Sequence, residues 1–202
     1  DAGPLHGIPF AAKDIIDVRG LPTTAGSNGL LNNIAERDAT VVERLRRAGM
    51  VLMGKTRTVQ FALGAPGVNR AQGTPHNPWA KEHHVPGGSS SGSAVAVAAG
   101  LVPMALGTDT GGSVRIPAGL CGTVGLKPTV RQVSRAGVFP LSDTLDSVGP
   151  LTRSVIGAAW VHQALHGVAP RDPMTATASR QDVLSGLEDG APGLRIGFAE
   201  GL

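Results

Sequence analysis

In Pro86-Gly87-Gly88-Ser89-Ser90-Ser91-Gly92-Ser93 and again in Asp109-Thr110-Gly111-Gly112-Ser113-Val114-Arg115, a pair of glycines stands directly before a serine. Glycines cluster where the chain takes a positive-φ path or where the backbone approaches another group closely. The exposed N–H groups of such a turn bind anions, so a neighbouring hydroxyl indicates a nucleophile beside an oxyanion hole. Flexible linkers have a similar composition. Each cluster borders an apolar segment, however, whereas linkers border polar ones.

The composition indicates a folded globular protein and argues against several classes of partner. Hydrophobic residues make up 41% of the 202 residues and charged residues 16%, which is typical of a chain with one or two domains. The net charge is +3, but aromatic residues are only 3% and tyrosine is absent, so we predict no direct binding of nucleic acid. No apolar run approaches the roughly 18 residues that span a bilayer, so we also predict no membrane contact.

The single cysteine, Cys121, allows no internal disulfide and favours a cytoplasmic location. It has no charged neighbour that would lower the pKa of its thiol, so we predict that it packs in the core. The adjacent His83 and His84 have no further ligand at helical spacing. We therefore predict no metal site.

The hydrophobic pattern predicts helices that alternate with short strands, and hence an α/β layered sheet. One helix covers residues 38–48, with Asp38 or Thr40 as its cap and a capping box between Thr40 and Glu43. Another covers residues 153–166 and is capped by Thr152. The remaining predicted elements are a helix of small residues at 93–99 and strands at 7–13, 51–53, 102–106, 124–126 and 194–198.

One apparent motif is a phosphate-binding loop. The segment Gly49-Met50-Val51-Leu52-Met53-Gly54-Lys55-Thr56 matches the pattern G-x-x-x-x-G-K-[ST] at every position. A phosphate site requires a strand, then a glycine-rich loop, then a helix. Here Gly49 ends a helix and the residues after it form an apolar strand. We therefore predict that this segment binds no nucleotide.

A second apparent motif is the nucleophile elbow G-x-S-x-G, which Gly88-Ser89-Ser90-Ser91-Gly92 matches with Ser90 as the nucleophile. That elbow needs a strand immediately before it, and His83-His84-Val85-Pro86 is a poor strand. The remaining triad members would come from Asp143 or Asp146 and from His162 or His166. We predict instead that both of these histidines lie on a solvated helix face.

Lys13 is a candidate base because it follows a largely apolar run. Burial among apolar groups penalises the ammonium form of a lysine and so makes the amine available as a base. A hydroxyl between that lysine and an attacking serine can relay the proton, which explains two serines in separate glycine-rich turns. Taken alone, the position favours a strand-end lysine that reaches solvent.

Four segments of the chain together resemble the amidase signature family. They are Gly7-Ile8-Pro9-Phe10-Ala11-Ala12-Lys13-Asp14, Pro86-Gly87-Gly88-Ser89-Ser90-Ser91-Gly92-Ser93-Ala94, Gly107-Thr108-Asp109-Thr110-Gly111-Gly112-Ser113-Val114-Arg115 and Gly125-Leu126-Lys127-Pro128-Thr129. These segments follow the order of the family's pattern, and the similarity runs over residues 3–154. The resemblance implies an α/β fold with a mixed β-sheet core that is covered by α-helices.

The resemblance also implies that the protein is an amidase with a Ser–cis-Ser–Lys triad. Ser113 would attack the amide carbonyl, Ser89 would follow a cis peptide bond and relay the proton, and Lys13 would act as base and then as acid. An acyl-enzyme would form on Ser113, ammonia or an amine would leave, and water would complete the hydrolysis. The oxyanion hole would comprise the N–H groups of Thr110, Gly111, Gly112 and Ser113. The supporting residues would be Ser90, Asp109 and Arg115.

The expected partner is a small-molecule amide substrate, with no cofactor and no metal, and a homodimer is left open. The chain starts at Asp1 without a methionine. We therefore expect a single amidase-signature domain at residues 1–202 that is truncated relative to the family at both ends. Two alternatives stay open, namely the amidase subunit of a tRNA-dependent amidotransferase and a catalytically impaired fragment.

Overall fold

The core of the fold is a five-stranded sheet, which a computed structural model describes within residues 2–197. The strands are β1 (Pro9–Lys13), β2 (Val51–Thr56), β3 (Met104–Asp109), β4 (Val124–Gly125) and β5 (Ser147–Thr152). They lie in the order β2-β1-β3-β5-β4. β1 is parallel to β2 and β3, whereas β5 is antiparallel to β3 and β4. The mixed α/β fold predicted from the sequence is confirmed.

Helices cover both faces of this sheet. They are α1 (Thr40–Arg47), α2 (Ser91–Ala98), α3 (Arg115–Cys121) and α4 (Val155–Leu165). Because side chains alternate along a strand, Phe10 points to one face of β1 and Ala11 to the other. Phe10 packs with α1 and with Leu165 of α4, whereas Ala11 packs with Val97 of α2 and Ala118 of α3. Among the helices in residues 2–197, none has the length and apolar character of a membrane span.

Two predicted helix caps are wrong. The first residue of α1 is Thr40, its N-cap is Ala39, and Glu43 pairs with Arg171 at 2.6 Å instead of closing a capping box. Thr152 belongs to β5, and the side chain of Ser154 caps α4 by accepting from the N–H of Gly157. At α1 the capping box is not formed because Glu43 pairs with Arg171. At α4 the predicted cap is not formed because Thr152 belongs to β5.

The structure also contains two elements that the sequence pattern did not predict, α3 and β5. Each contains a proline, which argues against a helix or a central strand. Pro117 lies in the first turn of α3, where no N–H is needed, and Pro150 lies opposite Leu106 in the β3–β5 pair. The predicted strand at 102–106 is β3 at Met104–Asp109. Residues 194–197 form no strand, and Phe198 lies outside the described residues.

Candidate active site

Lys13 is the last residue of β1, and its side chain is fully buried. Its Nζ atom lies 2.8 Å from Ser89 Oγ and 2.7 Å from Thr108 Oγ1. The strand-end lysine therefore does not reach solvent, which excludes the alternative that its sequence position favoured. The structure joins Lys13 to one of the two glycine-flanked serines, and it adds Thr108, which the sequence motifs did not single out.

Burial changes the protonation of Lys13. Removal of its ammonium group from water lowers its pKa from 10.5 to about 7, although the negative charges of Asp109 and Asp146 oppose this shift. A lysine with a pKa near neutrality exists in substantial part as the free amine. It can then accept a proton at a pH where an exposed lysine cannot.

Ser89 is held in a turn whose backbone is tightly packed. The peptide bond between Gly88 and Ser89 is cis. The carbonyl oxygen of Ser89 accepts hydrogen bonds from Thr58 Oγ1 at 2.9 Å and from the Val59 N–H at 3.2 Å. A Cβ on Gly88 would lie 2.4 Å from the Gly64 carbonyl oxygen, so only glycine fits there. These contacts fix the Ser89 side chain against Lys13.

Ser113 begins the turn into α3 and is partly exposed. Its carbonyl oxygen accepts from the Ser90 N–H at 3.2 Å, a contact that ties the two serine turns together. The Ser113 hydroxyl takes part in no hydrogen bond within residues 2–197. Of the two proposed catalytic serines, Ser113 is thus the accessible one, whereas Ser89 is fully buried.

Asp109 holds the second glycine turn in shape. Its carboxylate accepts from the N–H groups of Gly112 at 2.8 Å and Val114 at 3.1 Å, and it forms a two-pronged ion pair with the Arg115 guanidinium at 3.0 Å. Burial would raise the pKa of Asp109, but the hydrogen bonds from Arg115, Val114 and Gly112 outweigh it and lower that pKa. The Gly112 N–H, which was expected in the oxyanion hole, is therefore engaged by Asp109.

The nucleophile elbow is not formed. Ser90 is fully buried, and its Oγ lies 3.2 Å from both the N and the O atoms of Thr108. Its hydroxyl thus binds backbone and does not face a reacting group. Ser90 thus links the Ser89 turn to β3.

The two histidines considered for that elbow stack on each other, with ring centroids 5.1 Å apart. His166 is buried and accepts from the Gln181 N–H, so the solvated face predicted for it is wrong. Burial lowers the pKa of His162, and the neighbouring His166 lowers it further. Within residues 2–197, neither imidazole forms a hydrogen bond with a serine of the two clusters.

The apparent phosphate loop forms part of the sheet. Residues 51–56 form β2, and Lys55 Nζ pairs with Asp14 Oδ1 at 2.8 Å. The Thr56 hydroxyl lies 2.7 Å from Ser93 Oγ. These side chains join β2 to β1 and to α2. Lys55 is therefore engaged within the fold, and the strand predicted at 51–53 is part of β2.

Cys121 is buried, as predicted, and burial raises the pKa of its thiol to about 11. Within residues 2–197, no three His, Cys, Asp or Glu side chains lie together in a way that could hold a metal ion. Asp109 and Asp146 carry negative charges that act on Lys13.

Sequence reasoning missed two residues that shape the site, Thr58 and Thr108, and it considered Asp146 only as a triad acid of a nucleophile elbow. Thr58 binds the Ser89 carbonyl, Thr108 binds Lys13, and Asp146 accepts from the Thr110 hydroxyl at 2.5 Å. No local pattern marks them, because each acts on a residue from another element. The only available signal was the position of Thr108 within the third matched segment.

The whole chain is similar to one family of known proteins. The family model described as Amidase matches residues 1–202. The A subunit of glutamyl-tRNA(Gln) amidotransferase from Anaeromyxobacter sp. (strain K) is 52% identical over 193 residues, which are 96% of this chain and 39% of that protein. The chain thus spans about two fifths of the length of that relative.

Two solved structures are similar in fold as well as in sequence. The A subunit of glutamyl-tRNA(Gln) amidotransferase from Thermotoga maritima has a TM-score of 0.91 and 45% identity, covering 96% of this chain and 42% of that one. The native peptide amidase from Stenotrophomonas maltophilia has a TM-score of 0.84 and 46% identity, and the match covers 90% of this chain and 38% of that one. Because the family model matches the whole chain and the folds agree, this chain belongs to the Amidase family.

Proposed function

We propose that the protein hydrolyses the carbon–nitrogen bond of an amide through Ser113, Ser89 and Lys13. The observation that carries this proposal is the 2.8 Å contact between the buried Lys13 Nζ and Ser89 Oγ. A buried lysine in contact with a serine hydroxyl can act as a base, with that hydroxyl as a proton relay. Membership of the Amidase family supports the same chemistry.

In the proposed reaction, neutral Lys13 donates to Thr108 Oγ1 and accepts the proton of Ser89. Ser89 in turn takes the proton of Ser113 as Ser113 Oγ forms a bond to the amide carbon. The carbonyl electron pair moves to oxygen and gives a tetrahedral intermediate. Charged Lys13 then returns its proton through Ser89 to the nitrogen, the carbon–nitrogen bond breaks, and an acyl-enzyme remains on Ser113. Water hydrolyses this ester by the same proton path.

The negative oxygen of the intermediate needs N–H donors. We assign them to residues 110–113, called the oxyanion loop below. Of its four N–H groups, that of Gly112 donates to Asp109. The proposed donors are therefore Thr110, Gly111 and Ser113. Loss of one such donor in other hydrolases lowers kcat by about 10² to 10³.

The substrate class is a small-molecule amide that enters beside Ser113. The similar structures include a peptide amidase, which supports a carboxamide as the reacting group. We also propose that residues 1–202 form a single domain that carries the triad. The remaining length of the longer relatives would then complete the substrate pocket.

A second candidate function is supported by the 52% identity to the A subunit of an amidotransferase. In that case the same triad would release ammonia from an amide for use by a partner protein. Hydrolysis of simple carboxamides by the full-length protein, without any partner or tRNA, would argue against this candidate. Activity that appears only when a partner protein and tRNA are both present would support the amidotransferase function.

The proposed hydrolysis is tested by ammonia release from simple carboxamides with variants of the full-length protein. We expect Lys13→Ala, Ser89→Ala and Ser113→Ala each to lower kcat by about 10³-fold or more. His162→Ala and Asp143→Ala are controls and should stay within about twofold of the parent protein. A fluorophosphonate should label the parent and not Ser113→Ala. Full activity of Ser113→Ala would refute the proposal, and loss of activity only in Ser90 and histidine variants would support a nucleophile elbow.

A further inference from the structure

Asp146 is a buried carboxylate beside the triad that takes no part in the proposed proton transfers. It is 8% exposed and immediately precedes β5. Its Oδ1 accepts from Thr110 Oγ1 at 2.5 Å, and its Oδ2 accepts from the N–H groups of Leu141 at 2.8 Å and Ser142 at 3.0 Å. These donors are all neutral, and no ion pair within residues 2–197 includes Asp146. Arg135 and Arg171 line the same cavity as Asp146 but lie outside salt-bridge distance of it, and a buried carboxylate with only neutral partners is costly, so its presence calls for a role.

The register of the sheet explains why Asp146 meets Thr110. The antiparallel pairing of β3 with β5 ends where Asp109 lies opposite Ser147. Thr110 follows the end of β3, and Asp146 immediately precedes β5. A hydrogen bond between their side chains continues the pairing of the two strands by one position. Thr108, two residues before Thr110, is the residue of β3 that binds Lys13.

Thr110 is the first residue of the oxyanion loop, and its neighbour Gly111 has nothing within 4 Å of a built Cβ. The space beside Gly111 is thus open where a side chain would stand. The far end of the loop is held by Asp109, which binds the N–H groups of Gly112 and Val114. The near end is held at the Thr110 side chain by Asp146. The loop is therefore clamped at both ends by a carboxylate.

We propose that Asp146 is a positioning residue of this site, whose carboxylate fixes Thr110 and thereby aims the N–H groups of Thr110 and Gly111 at the developing oxyanion. This inference rests on the proposed amide hydrolysis. The hydrogen bond to Thr110 joins β5 to the loop that carries Ser113. This role of Asp146 differs from the one considered for it in the sequence analysis, the acid of a nucleophile-elbow triad.

The charge of Asp146 has a second consequence. Asp146 and Thr108, which binds Lys13, line one cavity of about 190 Å³. The other charged residues of its lining are Arg135, Asp143, Arg171 and Asp172. The carboxylates whose charges act on Lys13 are Asp109 and Asp146, and both oppose the lowering of its pKa by burial. Removal of the Asp146 charge should therefore lower the pKa of Lys13 further. The acid limb of the pH profile then moves to lower pH.

The test uses Thr110→Val, Asp146→Asn and Asp143→Asn in the full-length protein, with kcat, KM and the pH profile measured on a carboxamide. Thr110→Val removes the hydroxyl and keeps the shape and the Asp146 charge. We expect it to lower kcat about 10-fold to 100-fold with KM little changed, because small misplacements of catalytic groups have effects of this size. The acid limb of the Thr110→Val pH profile should lie at the same pH as that of the parent protein.

Asp146→Asn keeps a similar shape and removes the charge. We expect the same loss of kcat together with an acid limb at lower pH, and the double variant should lose little more than either single one. Asp143→Asn is the matched control, since this exposed carboxylate lines the same cavity without contacting Thr110. It should behave as the parent protein.

A kcat within twofold of the parent in Thr110→Val would overturn the inference, even if Asp146→Asn failed to fold. The same holds if Asp146→Asn lowers only thermal stability, with kcat and the pH profile unchanged. Ser113→Ala separates this failure from failure of the proposed function. An inactive Ser113→Ala beside an active Thr110→Val refutes the role of Asp146 alone, whereas an active Ser113→Ala refutes the hydrolysis mechanism itself.

Discussion

Lys13 Nζ lies 2.8 Å from Ser89 Oγ, although 76 positions separate the two residues in the chain. The contact joins the end of β1 to the turn that precedes α2, and both side chains are fully buried. Burial penalises the ammonium form of Lys13, and its pKa falls to about 7. The protonation of this pair should govern how the protein responds to pH.

The first prediction concerns the pH dependence of activity. Only the neutral amine of Lys13 can accept the proton of Ser89, so kcat/KM should rise with pH and level off above an inflection near 7. An exposed lysine would place that inflection above pH 10. Initial rates of ammonia release between pH 5.5 and 9.5, at constant ionic strength, provide the measurement. A profile that is flat across this range would contradict the assignment of Lys13 as the base.

The second prediction concerns Thr108, which accepts a hydrogen bond from Lys13 Nζ at 2.7 Å. Thr108→Val keeps the shape of the side chain but leaves an N–H of the buried lysine without a partner. An unsatisfied buried donor costs about 1–3 kcal/mol, so kcat should fall about 10-fold to 100-fold.

Thr108→Ser is the matched control, because it keeps the hydroxyl and removes only a methyl group. It should recover most of the lost kcat. If the serine and valine variants are equally impaired, the methyl group matters and the hydrogen bond to Lys13 does not. Steady-state kinetics of the three proteins decide between these outcomes.

The third prediction concerns the Asp109 clamp. Asp109→Asn replaces a fully buried carboxylate that binds Arg115 and two backbone N–H groups, and it should destabilise the fold by about 3 kcal/mol or more. The Arg115 side chain is 53% exposed, so Arg115→Gln should cost only about 1 kcal/mol. Thermal or urea unfolding at pH 7 measures both effects. Equal losses in the two variants would contradict the importance of the backbone contacts.

The same clamp has a defined pH dependence. The pKa of Asp109 is lower in the folded protein than its ordinary value of 3.8. Its carboxylate therefore stabilises the fold fully above that value, and the stabilisation is lost as the pH falls through the lower folded pKa. The difference in unfolding free energy between the parent and Asp109→Asn should stay constant from pH 7 to about 4 and shrink in stronger acid.

The fourth prediction compares two helical glycines. A Cβ on Gly92 in α2 would lie 2.5 Å from the backbone N of Arg57, whereas Gly119 in α3 has nothing within 4 Å of its Cβ position. Gly92→Ala should therefore destabilise the fold by about 1–3 kcal/mol, because backbone must move. Gly119→Ala should stabilise it by about 0.5–1 kcal/mol through helix propensity.

The Gly92 variant should also lose activity. Its added methyl group pushes on the segment after β2, where Thr58 holds the Ser89 carbonyl. Unfolding midpoints and kcat measured together test this link. A Gly92→Ala protein that is as stable and as active as the Gly119→Ala protein would show that the close approach has no consequence.

The sequence by itself determined the class of fold and the residue types of the site. Apolar runs of strand length alternate with helical segments, and hydrophobic periodicity is a local property that any fold must respect. The two Gly-Gly-Ser turns and Lys13 after its apolar run are likewise local signals. They were sufficient to propose Lys13, Ser89 and Ser113 together, once their order matched that of a family.

Only the tertiary structure decided how these residues meet. The register of β3 with β1 and β5 places Thr108 against Lys13 and Thr110 against Asp146, and no short pattern encodes such a register. Short patterns likewise do not encode that Glu43 pairs with Arg171 instead of capping α1, or that the Gly112 N–H donates to Asp109. Hydrogen bonds between distant elements depend on the assembled sheet, because its packing brings their donors and acceptors within reach.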